Sequence, residues 1–334
     1  MSENPTVTPL NWTALVNEAI RRRKAEKLTQ KEHAALASVS IPTIVAFDRA
    51  ERTLSLAKAF DILRVVGLIE EPSNDGAQER FVQEAFARWR ALTKDLPSDS
   101  PARFPHGWYR IDYELQGDLV EPELHKLLRI VEKAEVPYTG WPMFITMTRP
   151  ELAARERDGL IECWIPPARD DLERLTTDAA HCDFWRITPT GRAFLIRGYQ
   201  EDTQDTFKPG TILDTTLPVW RIAEGLLHAA RLAKLLARTP ETSISARFRI
   251  YYTGLSGRVL RSWANPLTML HVEGGAARSN EAVLEETIQA GDIEANLVKY
   301  VVPLVISLFE RFGVAGVPAD RVSAELDRML QTRS

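Results

Sequence analysis

The chain has 334 residues, of which 44% are hydrophobic and 26% charged, with a formal net charge of −4 at pH 7. This length and composition are typical of a globular protein with two or three domains, and the net charge excludes a globally basic nucleic-acid-binding protein. The longest apolar run, residues 297–308, contains Lys299 and Pro303 and is too short to span a bilayer.

The cysteines and the first residues bear on the cellular compartment. Cys163 and Cys182 are the only cysteines and lie outside any Cys-x-x-Cys pattern, which is typical of a reduced protein with buried thiols. Pro5 and Thr8 interrupt the stretch in which a signal peptide needs a continuous apolar segment. We therefore expect a cytoplasmic protein that is neither exported nor inserted into a membrane.

Residues 1–10 form a polar leader, and the first predicted helix runs from Asn11 to Glu26. Its apolar face consists of Trp12, Leu15, Val16, Ala19 and Ile20. Residues 11–31 contain six basic and two acidic residues, a local net charge of +4. Such a basic stripe indicates phosphate binding when a DNA-binding motif adjoins it, whereas alone it is more often a solvated helix face.

Two residue patterns that are typical of helix N-termini follow the first predicted helix. Thr29 is a suitable N-cap, and Glu32, three residues later, completes a capping box for a helix that continues to about Ala37. Ser40 can cap a second helix, in which Pro42 stands near the first helical position. Two short helices joined by a three-residue turn form a helix-turn-helix.

Apolar residues at helical spacing over residues 54–66 predict a third helix that packs behind the pair. The positions that match a known pattern are Gln30, Ala34, Leu36, Val39, Ser40, Thr43, Ile44, Arg49, Leu56, Ile62 and Gly67. Through these residues the stretch 28–68 resembles the DNA-binding domain of Cro/C1-type (xenobiotic-response-element family) repressors. The chain departs from the family at Ser38 and Ala50, where glycine is usual, and at His33, where an apolar residue is usual.

The resemblance implies that the second helix of the pair lies in the major groove and that a homodimer binds a two-fold DNA site. Together with the basic stripe, the candidate DNA-binding residues are Arg21, Arg22, Arg23, Lys27, Thr29, Gln30, Lys31, Ser40, Ile41, Pro42, Thr43, Ala46 and Arg49. In this alignment Gln30 and Thr43 read bases and Ile41 contacts thymine methyl groups, which predicts A·T-containing half-sites. The alternatives are a helical hairpin that binds nothing, and an Ile41 side chain that packs inward.

Two segments rich in residues that interrupt helices and strands separate the rest of the chain from this motif, residues 70–76 and 96–105. Beyond them, hairpins are predicted around Pro189–Arg192 and Gly254–Gly257, and a helix over Pro218–Leu236. The predicted parts are a helix-turn-helix domain (1–70), a helix-containing linker (71–105), an α+β sensor-like domain (106–270) and a helical tail (281–331). The predicted fold class is a mainly α N-terminal helix-turn-helix domain followed by an α+β domain and a helical C-terminal tail.

Ligand chemistry is expected in the α+β region. Six of the eight tryptophans lie there, and the segment 184–202 mixes aromatic residues with three arginines, a combination that suits a planar or anionic ligand. The candidate ligand-binding residues are Trp141, Trp185, Arg186, Arg197 and Tyr199. The alternative is that the rings form core and the arginines pair with Glu201 and Asp202. Residues 140–228 also resemble segments attached to helix-turn-helix or Alba-type DNA-binding modules in bacterial regulators, which favours a sensor or assembly role.

Enzyme signatures are absent from the sequence: it has no Gly-rich phosphate loop, no G-x-S-x-G elbow and no H-E-x-x-H motif. Glu224 and His228 are four residues apart, as metal ligands on one helix would be, but such pairs are usually structural. Two weaker candidates are a zinc site of Cys163, His181, Cys182 and Asp183, and a nuclease-like cluster of Glu162, Asp183, Asp202 and Asp214. We therefore expect no catalytic residue, no metal ligand and no cofactor.

The sequence thus predicts a transcriptional regulator whose partners are double-stranded DNA, a second copy of the chain and an unidentified small-molecule effector. Apolar tail residues are assigned either to the dimer interface or to internal packing: Leu297, Val298, Val301, Val302, Leu304, Val305, Leu308 and Phe309. Two other classes remain open, a nucleic-acid-processing enzyme targeted by its helix-turn-helix and a protein-interaction scaffold that binds no DNA. Metal-dependent activity would indicate the first, and failure to bind any DNA the second.

Overall fold

The structure is a computed structural model in which the chain divides into two compact units, Met1–Ala77 and Gln78–Ser334. The residues that it describes are 11–37, 39–51, 53–68, 74–168, 172–174, 176–203, 206–265, 268, 270, 272, 274–314 and 316–331. Each unit has its own buried core.

The first unit contains four helices whose starts are set by local capping. Their bounds are α1 (Trp12–Ala25), α2 (Gln30–Leu36), α3 (Ile41–Asp48) and α4 (Leu56–Val65). At the start of α2 the Thr29 N–H donates to Glu32 at 2.8 Å and the Glu32 N–H to the Thr29 hydroxyl at 3.2 Å, the reciprocal pair that the capping-box pattern predicts. Ser40 caps α3 by accepting the Thr43 N–H. Asn11 caps α1 in the same way through the Ala14 N–H.

The core of this unit lies between the four helices. It is formed by Val16, Ala19, Ala34, Ala37, Ile44, Phe47, Ile62, Leu63 and Val66. The indole of Trp12 stands edge-on to Phe47 with ring centroids 5.5 Å apart, and its N–H donates to the Ala50 carbonyl at 3.1 Å. His33 is accommodated in the core because its Nε2 lies 2.9 Å from the Ile62 carbonyl oxygen. Ala50 ends α3 with a φ of +55°, the left-handed conformation that glycine more often adopts.

The second unit combines helices with a large sheet. The helix bounds are α5 (Asn74–Thr93), α6 (Leu124–Ala134), α7 (Leu217–Leu236), α8 (Leu297–Glu310) and α9 (Ala319–Gln331). The strand bounds are β1 (Trp108–Gln116), β2 (Arg155–Arg157), β3 (Leu160–Trp164), β4 (Phe184–Ile187), β5 (Arg192–Gly198), β6 (Ile212–Asp214), β7 (Ser245–Tyr252), β8 (Val259–Arg261) and β9 (Ala282–Gln289). Seven strands form an antiparallel sheet in the order β2-β3-β4-β5-β1-β7-β9, and β6 pairs with β8 in parallel.

The two faces of the seven-stranded sheet bury different elements. Alternate residues of β1, such as Ile111 and Tyr113, point into the larger core together with α6, α7, α8 and α9. The opposite face packs its central strands against α5 through Phe86, which lies 5.2 Å from Phe194 between ring centroids. Successive side chains of a strand point to opposite faces of the sheet, so alternate residues join different layers.

Helix α7 is the most enclosed helix among the described residues. Sixteen of its 20 residues are buried, including Arg221, Glu224 and His228, and it contacts α6, α8, α9 and the sheet. Gly225 allows α7 to lie close to the sheet, since a Cβ there would be 2.9 Å from Cζ of Phe248. The polar side chains of α7 must consequently find their partners inside the core.

One row of side chains crosses the α5 face of the sheet at a single register level. The directly opposed residues are, in strand order, Arg155, Glu162, Arg186, Phe194, Asp112, Arg249 and Glu285. Apart from Phe194, each charge in this row faces a charge of opposite sign or the phenyl ring. Glu162 lies 3.3 Å from Arg186, and Asp112 lies 3.0 Å from Arg249.

The predicted fold class is wrong. The chain is α+β, with nine helices in the described residues distributed along its length and the sheet occupying its middle and C-terminal parts. The predicted helical tail begins with a strand, β9, which forms an edge of the sheet. Its residues alternate between buried and exposed, a period of two that the strong helical pattern after Leu297 obscured.

Two further expectations are resolved in the same region. The hairpin around Pro189–Arg192 is present as β4 and β5, but the hairpin predicted around Gly254–Gly257 is wrong, because β7 pairs with β1 and β9 while β8 pairs with β6. The tail side chains Leu297, Val301, Leu304, Val305, Leu308 and Phe309 are buried within the chain. Val298 and Val302 are partly buried against the same core, so α8 packs internally.

We expect Gly225→Ala to destabilise the second unit. The added methyl group would meet Phe248 and Ile111 in a close-packed core, and overpacking of this kind costs about 1–3 kcal/mol, which exceeds the roughly 1 kcal/mol gained in helix propensity. The matched control is Gly291→Ala, where a Cβ would meet nothing within 4 Å. Urea unfolding of both variants measures the difference, and equal stabilities would show that α7 has room to shift.

Candidate functional site

Helices α2 and α3 carry most of the candidate DNA-binding residues, and Ser38 in the turn between them lies outside the described residues. Ile41 is 46% exposed, so its side chain does not pack inward. Pro42 is exposed on the same helix and Arg49 directly after its end, while Thr43 and Ala46 are half-buried. The side chains of Lys27, Thr29, Gln30, Lys31 and Ser40 are also exposed. The α3 surface therefore presents one guanidinium group among small and apolar side chains.

Asp48 joins α1, α2 and α3 through one carboxylate. It accepts two hydrogen bonds from Arg23, at 2.9 and 2.7 Å, and one from the Gln30 amide at 2.6 Å. Arg23 is only 6% exposed, so its guanidinium group is committed to this buried pair and has no access to a phosphate. Among the described residues no donor binds the side-chain carbonyl oxygen of Gln30, while its amide nitrogen donates to Asp48.

Arg21 and Arg22 share the carboxylate of Glu18. Arg21 donates to it at 2.6 and 2.7 Å and Arg22 at 3.0 Å, and these hydrogen bonds lower the pKa of Glu18 to about 2. Arg22 also donates to the Gly67 carbonyl at 2.7 Å. Exposed pairs such as these are weak, so a phosphate group can compete for the arginines. Residues 11–68 contain ten basic and six acidic residues, a net charge of +4.

In the second unit the five candidate ligand residues separate into three places. Arg197 is buried, donates to Asp183 at 2.7 Å and binds the carbonyl oxygens of Trp141 and Pro142. Tyr199 lies nearby and donates to the Thr253 carbonyl at 2.8 Å. The other two residues lie apart from this group: the Trp185 indole donates to the Ile145 carbonyl at 3.0 Å within the core, and Arg186 points to the opposite face of the sheet.

A narrow slot adjoins Arg197 at the start of α7. Its polar lining includes Tyr109, Tyr199, Glu201, Arg221 and Tyr252. The cavity measures about 20 Å³, which is room for about one water molecule. The predicted small-ligand pocket is therefore a filled polar core at this point rather than an open cleft.

Glu201 and Asp214 are two buried carboxyl groups beside the slot. Glu201 accepts the Asp214 N–H at 2.7 Å, and Asp214 accepts the N–H groups of Thr216 and Leu217 at the start of α7. Burial raises the pKa of both groups, and the neighbouring Asp214 charge contributes to a pKa of about 7 for Glu201. Glu201 consequently changes its charge near neutral pH.

The proposed metal and nuclease groupings do not converge. Within the described residues, no group of three or more His, Cys, Asp or Glu side chains could hold a metal ion. Glu224 accepts from Thr139 at 2.7 Å, whereas His228 lies 2.7 Å from the Tyr113 hydroxyl, and burial lowers the pKa of His228 to about 3.

The remaining acids and thiols of these groupings have other partners. Glu162 pairs with Arg88 and Arg186, Asp183 with Arg197, and Asp202 with Arg258. His181 pairs with Asp178 at 2.7 Å. Burial raises the pKa values of the Cys163 and Cys182 thiols, to about 12 for Cys182. These side chains therefore have separate partners and do not form a common metal or catalytic site.

Sequence reasoning missed Asp48, Arg88 and Arg157. Asp48 lies 25 positions from Arg23, so no helical spacing connects the two charges. Arg88 and Arg157 reach the same carboxylate, Glu162, from α5 and β2, and only the folded sheet brings them together.

No protein-family model, curated protein or solved structure matches this chain significantly. Across the part of the chain that the structure describes, none of the helices has the length and apolar character needed to cross a membrane.

Replacing Asp48 with alanine should lower the free energy of unfolding by about 3 kcal/mol, because it leaves the Arg23 charge buried without a partner. The double variant Arg23→Met/Asp48→Leu should recover most of that loss, since it removes both charges. Glu51→Ala is the control, because the Glu51–Arg49 pair is exposed and 4.0 Å long. Thermal unfolding followed by circular dichroism tests this, and equal melting of the Asp48 and Glu51 variants would contradict it.

Glu201→Gln should change how stability depends on pH. Because the pKa of Glu201 is raised from 4.5 to about 7, the folded protein retains a proton that the unfolded chain releases, so the stabilisation is present below about pH 4.5 and is lost as the pH rises through 7. Glutamine cannot ionise and can still accept the Asp214 N–H. The variant should therefore exceed the wild type by on the order of 3 kcal/mol at pH 8 and converge with it at pH 4.5.

Denaturant unfolding at several pH values measures this difference. Glu241→Gln, at an exposed position, serves as the control and should follow the wild type throughout. A constant offset between Glu201→Gln and the wild type from pH 4.5 to 8 would show that Glu201 does not titrate in this range.

Proposed function

We propose that this chain is a sequence-specific DNA-binding transcriptional regulator that acts as a homodimer. In this proposal α2 and α3 contact duplex DNA, and the second unit serves dimerisation and effector binding. The observation that carries the proposal is the start of α3, where Ile41 and Pro42 are exposed in a unit that also exposes Lys27, Lys31 and Arg49. The arrangement of capped helices and the Cro/C1-type residue pattern support the same conclusion.

The proposed contacts divide into phosphate and base contacts. Lys27, Lys31 and Arg49 are exposed, and their charges would neutralise phosphates without breaking a buried pair. Arg21 and Arg22 join them by exchanging Glu18 for phosphate oxygens. Arg23 is excluded from direct contact, and with Asp48 it fixes how α1 packs on α3.

Base contacts would come from the exposed start of α3 and from α2. Thr43 offers a hydroxyl and a methyl group, and Ile41 and Pro42 offer apolar contact with thymine methyl groups. Gln30 would present its carbonyl oxygen, which accepts from the amino group of adenine or cytosine, and the second N–H of its amide, since the first donates to Asp48. One such motif makes few base contacts, so a dimer on half-sites about 34–36 Å apart would be needed for useful affinity.

One experiment tests the proposal directly. The purified full-length protein is used to select from a random pool of duplex DNA, and the selected site is then titrated at several salt concentrations. Lys31→Ala and Arg49→Ala should weaken binding to all sequences alike and reduce the salt slope by about 1 each. Arg238→Ala removes an exposed arginine of the second unit and should leave the slope unchanged. Selection that enriches no sequence would overturn the proposal.

A second candidate function, docking of a partner protein without DNA, is favoured by one observation. The first unit exposes large apolar side chains, with Leu36 at 62%, Leu56 at 67% and Phe60 at 41% exposure. Apolar exposure on this scale is more typical of protein interfaces than of DNA contacts. The selection experiment separates the two candidates, because a scaffold would enrich no DNA sequence.

A further inference from the structure

Three arginines surround the single carboxylate of Glu162 on the α5 face of the sheet. Arg88 donates through Nε to its two oxygens at 3.1 and 3.2 Å. Arg186 lies directly opposite Glu162 in the sheet, with its Nε 3.3 Å from Oε2, and Arg157 approaches within 3.9 Å of Oε1. These three arginines, together with Glu162, form the Arg88–Arg157–Arg186 cluster.

Arg186 is buried without the hydrogen bonds that a buried guanidinium normally makes. Its side chain is 6% exposed, its Nε has no partner of hydrogen-bond geometry, and it donates to none of the residues that the structure describes. Arg197, a buried arginine of the same sheet, donates to a carboxylate and two carbonyl oxygens. Since buried polar groups are almost always hydrogen-bonded, the buried Nε–H of Arg186 indicates a missing acceptor.

The cluster also combines three guanidinium groups with a single buried carboxylate. Glu162 is 7% exposed and faces three guanidinium groups. Two more acids lie nearby but at the surface: Asp158, 74% exposed and 3.5 Å from Arg157, and Glu84 on the exposed side of α5. Burial is the main cause of the lowered pKa of Arg186, and the Arg88 charge lowers it further. The charged form of Arg186 is therefore less stabilised in the folded protein than it would be in water.

The cluster opens to solvent on one side. Exposure increases from 6% at Arg186 to 24% at Arg88 and 49% at Arg157. A ligand can therefore approach past the half-exposed side chain of Arg157 and reach Arg186 without unfolding the sheet. Planar guanidinium forks match the spacing of oxygens on a phosphate group, and such pairs are often bidentate.

We propose that the Arg88–Arg157–Arg186 cluster binds a phosphate oxyanion, either inorganic phosphate or the phosphate group of a small molecule such as a nucleotide. Arg186 supplies the buried bidentate contact, Arg88 turns part of its fork from Glu162 to the ligand, and Arg157 closes over the outer oxygens. Glu162 holds the arginines in place while the site is empty and opposes the anion when it is full. This site lies in the second unit and does not depend on the proposed DNA binding.

Isothermal titration of the full-length protein at low salt, with inorganic phosphate and separately with adenosine monophosphate, tests the proposal. Binding of phosphate with a dissociation constant below about 1 mM is expected, with chloride giving no heat. Equal affinities would identify the free anion as the ligand, and a tenfold preference for the nucleotide would identify a phosphate-bearing small molecule. Absence of heat from both ligands would overturn the proposal.

Variants separate a ligand site from a structural ion pair. Arg157→Ala alters a half-exposed side chain and should weaken phosphate binding about tenfold, as expected for loss of one charge-assisted contact. Glu162→Gln should tighten phosphate binding several-fold, because it removes the opposing charge, whereas a purely structural cluster would only lose thermal stability. Arg238→Ala, far along the chain in an exposed pair with Asp118, should bind phosphate like the wild type. Unchanged affinity in both cluster variants would also overturn the proposal.

Discussion

Burial of α7 is the constraint on which the second unit depends. A helix enclosed on all sides must satisfy its polar side chains internally, because an unpaired charge in a core costs several kcal/mol. Glu224 binds Arg221 and Thr139, and His228 binds Tyr113. Asp214 takes the first N–H groups of the helix. Apart from Arg221, which lies on α7 itself, each partner comes from a different element, so placing α7 also places β1, the 139–142 loop and the end of β6.

The structural features that the sequence could predict are those specified by residues close together in the chain. Capping residues such as Thr29, Glu32 and Ser40 act within one helical turn, and the structure contains the helix starts that they indicate. Strand pairing is not local, and the predicted hairpin at Gly254–Gly257 failed for that reason. Nothing near Val259 specifies that β8 pairs in parallel with β6, a strand more than forty positions earlier in the chain.

The same limit applied to the candidate sites. Arg186 and Arg197 were grouped because they are close in sequence, yet they lie on opposite faces of the sheet. Arg186 faces Phe194 across β4 and β5, and Arg197 is three positions beyond Phe194, which reverses its side. Register therefore decides which arginine joins the buried Asp183 pair and which joins Glu162, and register is known only once the strands have been paired.

The charged row that crosses all seven strands has a consequence for the fidelity of folding. Slipping a strand by two residues keeps its apolar side chains on the buried face, so hydrophobic burial alone cannot reject that error. Charge pairing can disfavour it. A two-residue slip of β7 along β1 in one direction sets Arg110 opposite Arg249, which places two positive charges together. A slip in the other direction sets Asp112 opposite Tyr251, so Asp112 loses its pairing with Arg249. The row thus makes the stability of strand pairing depend on register, because misaligned strands lose ion pairs that the native alignment keeps.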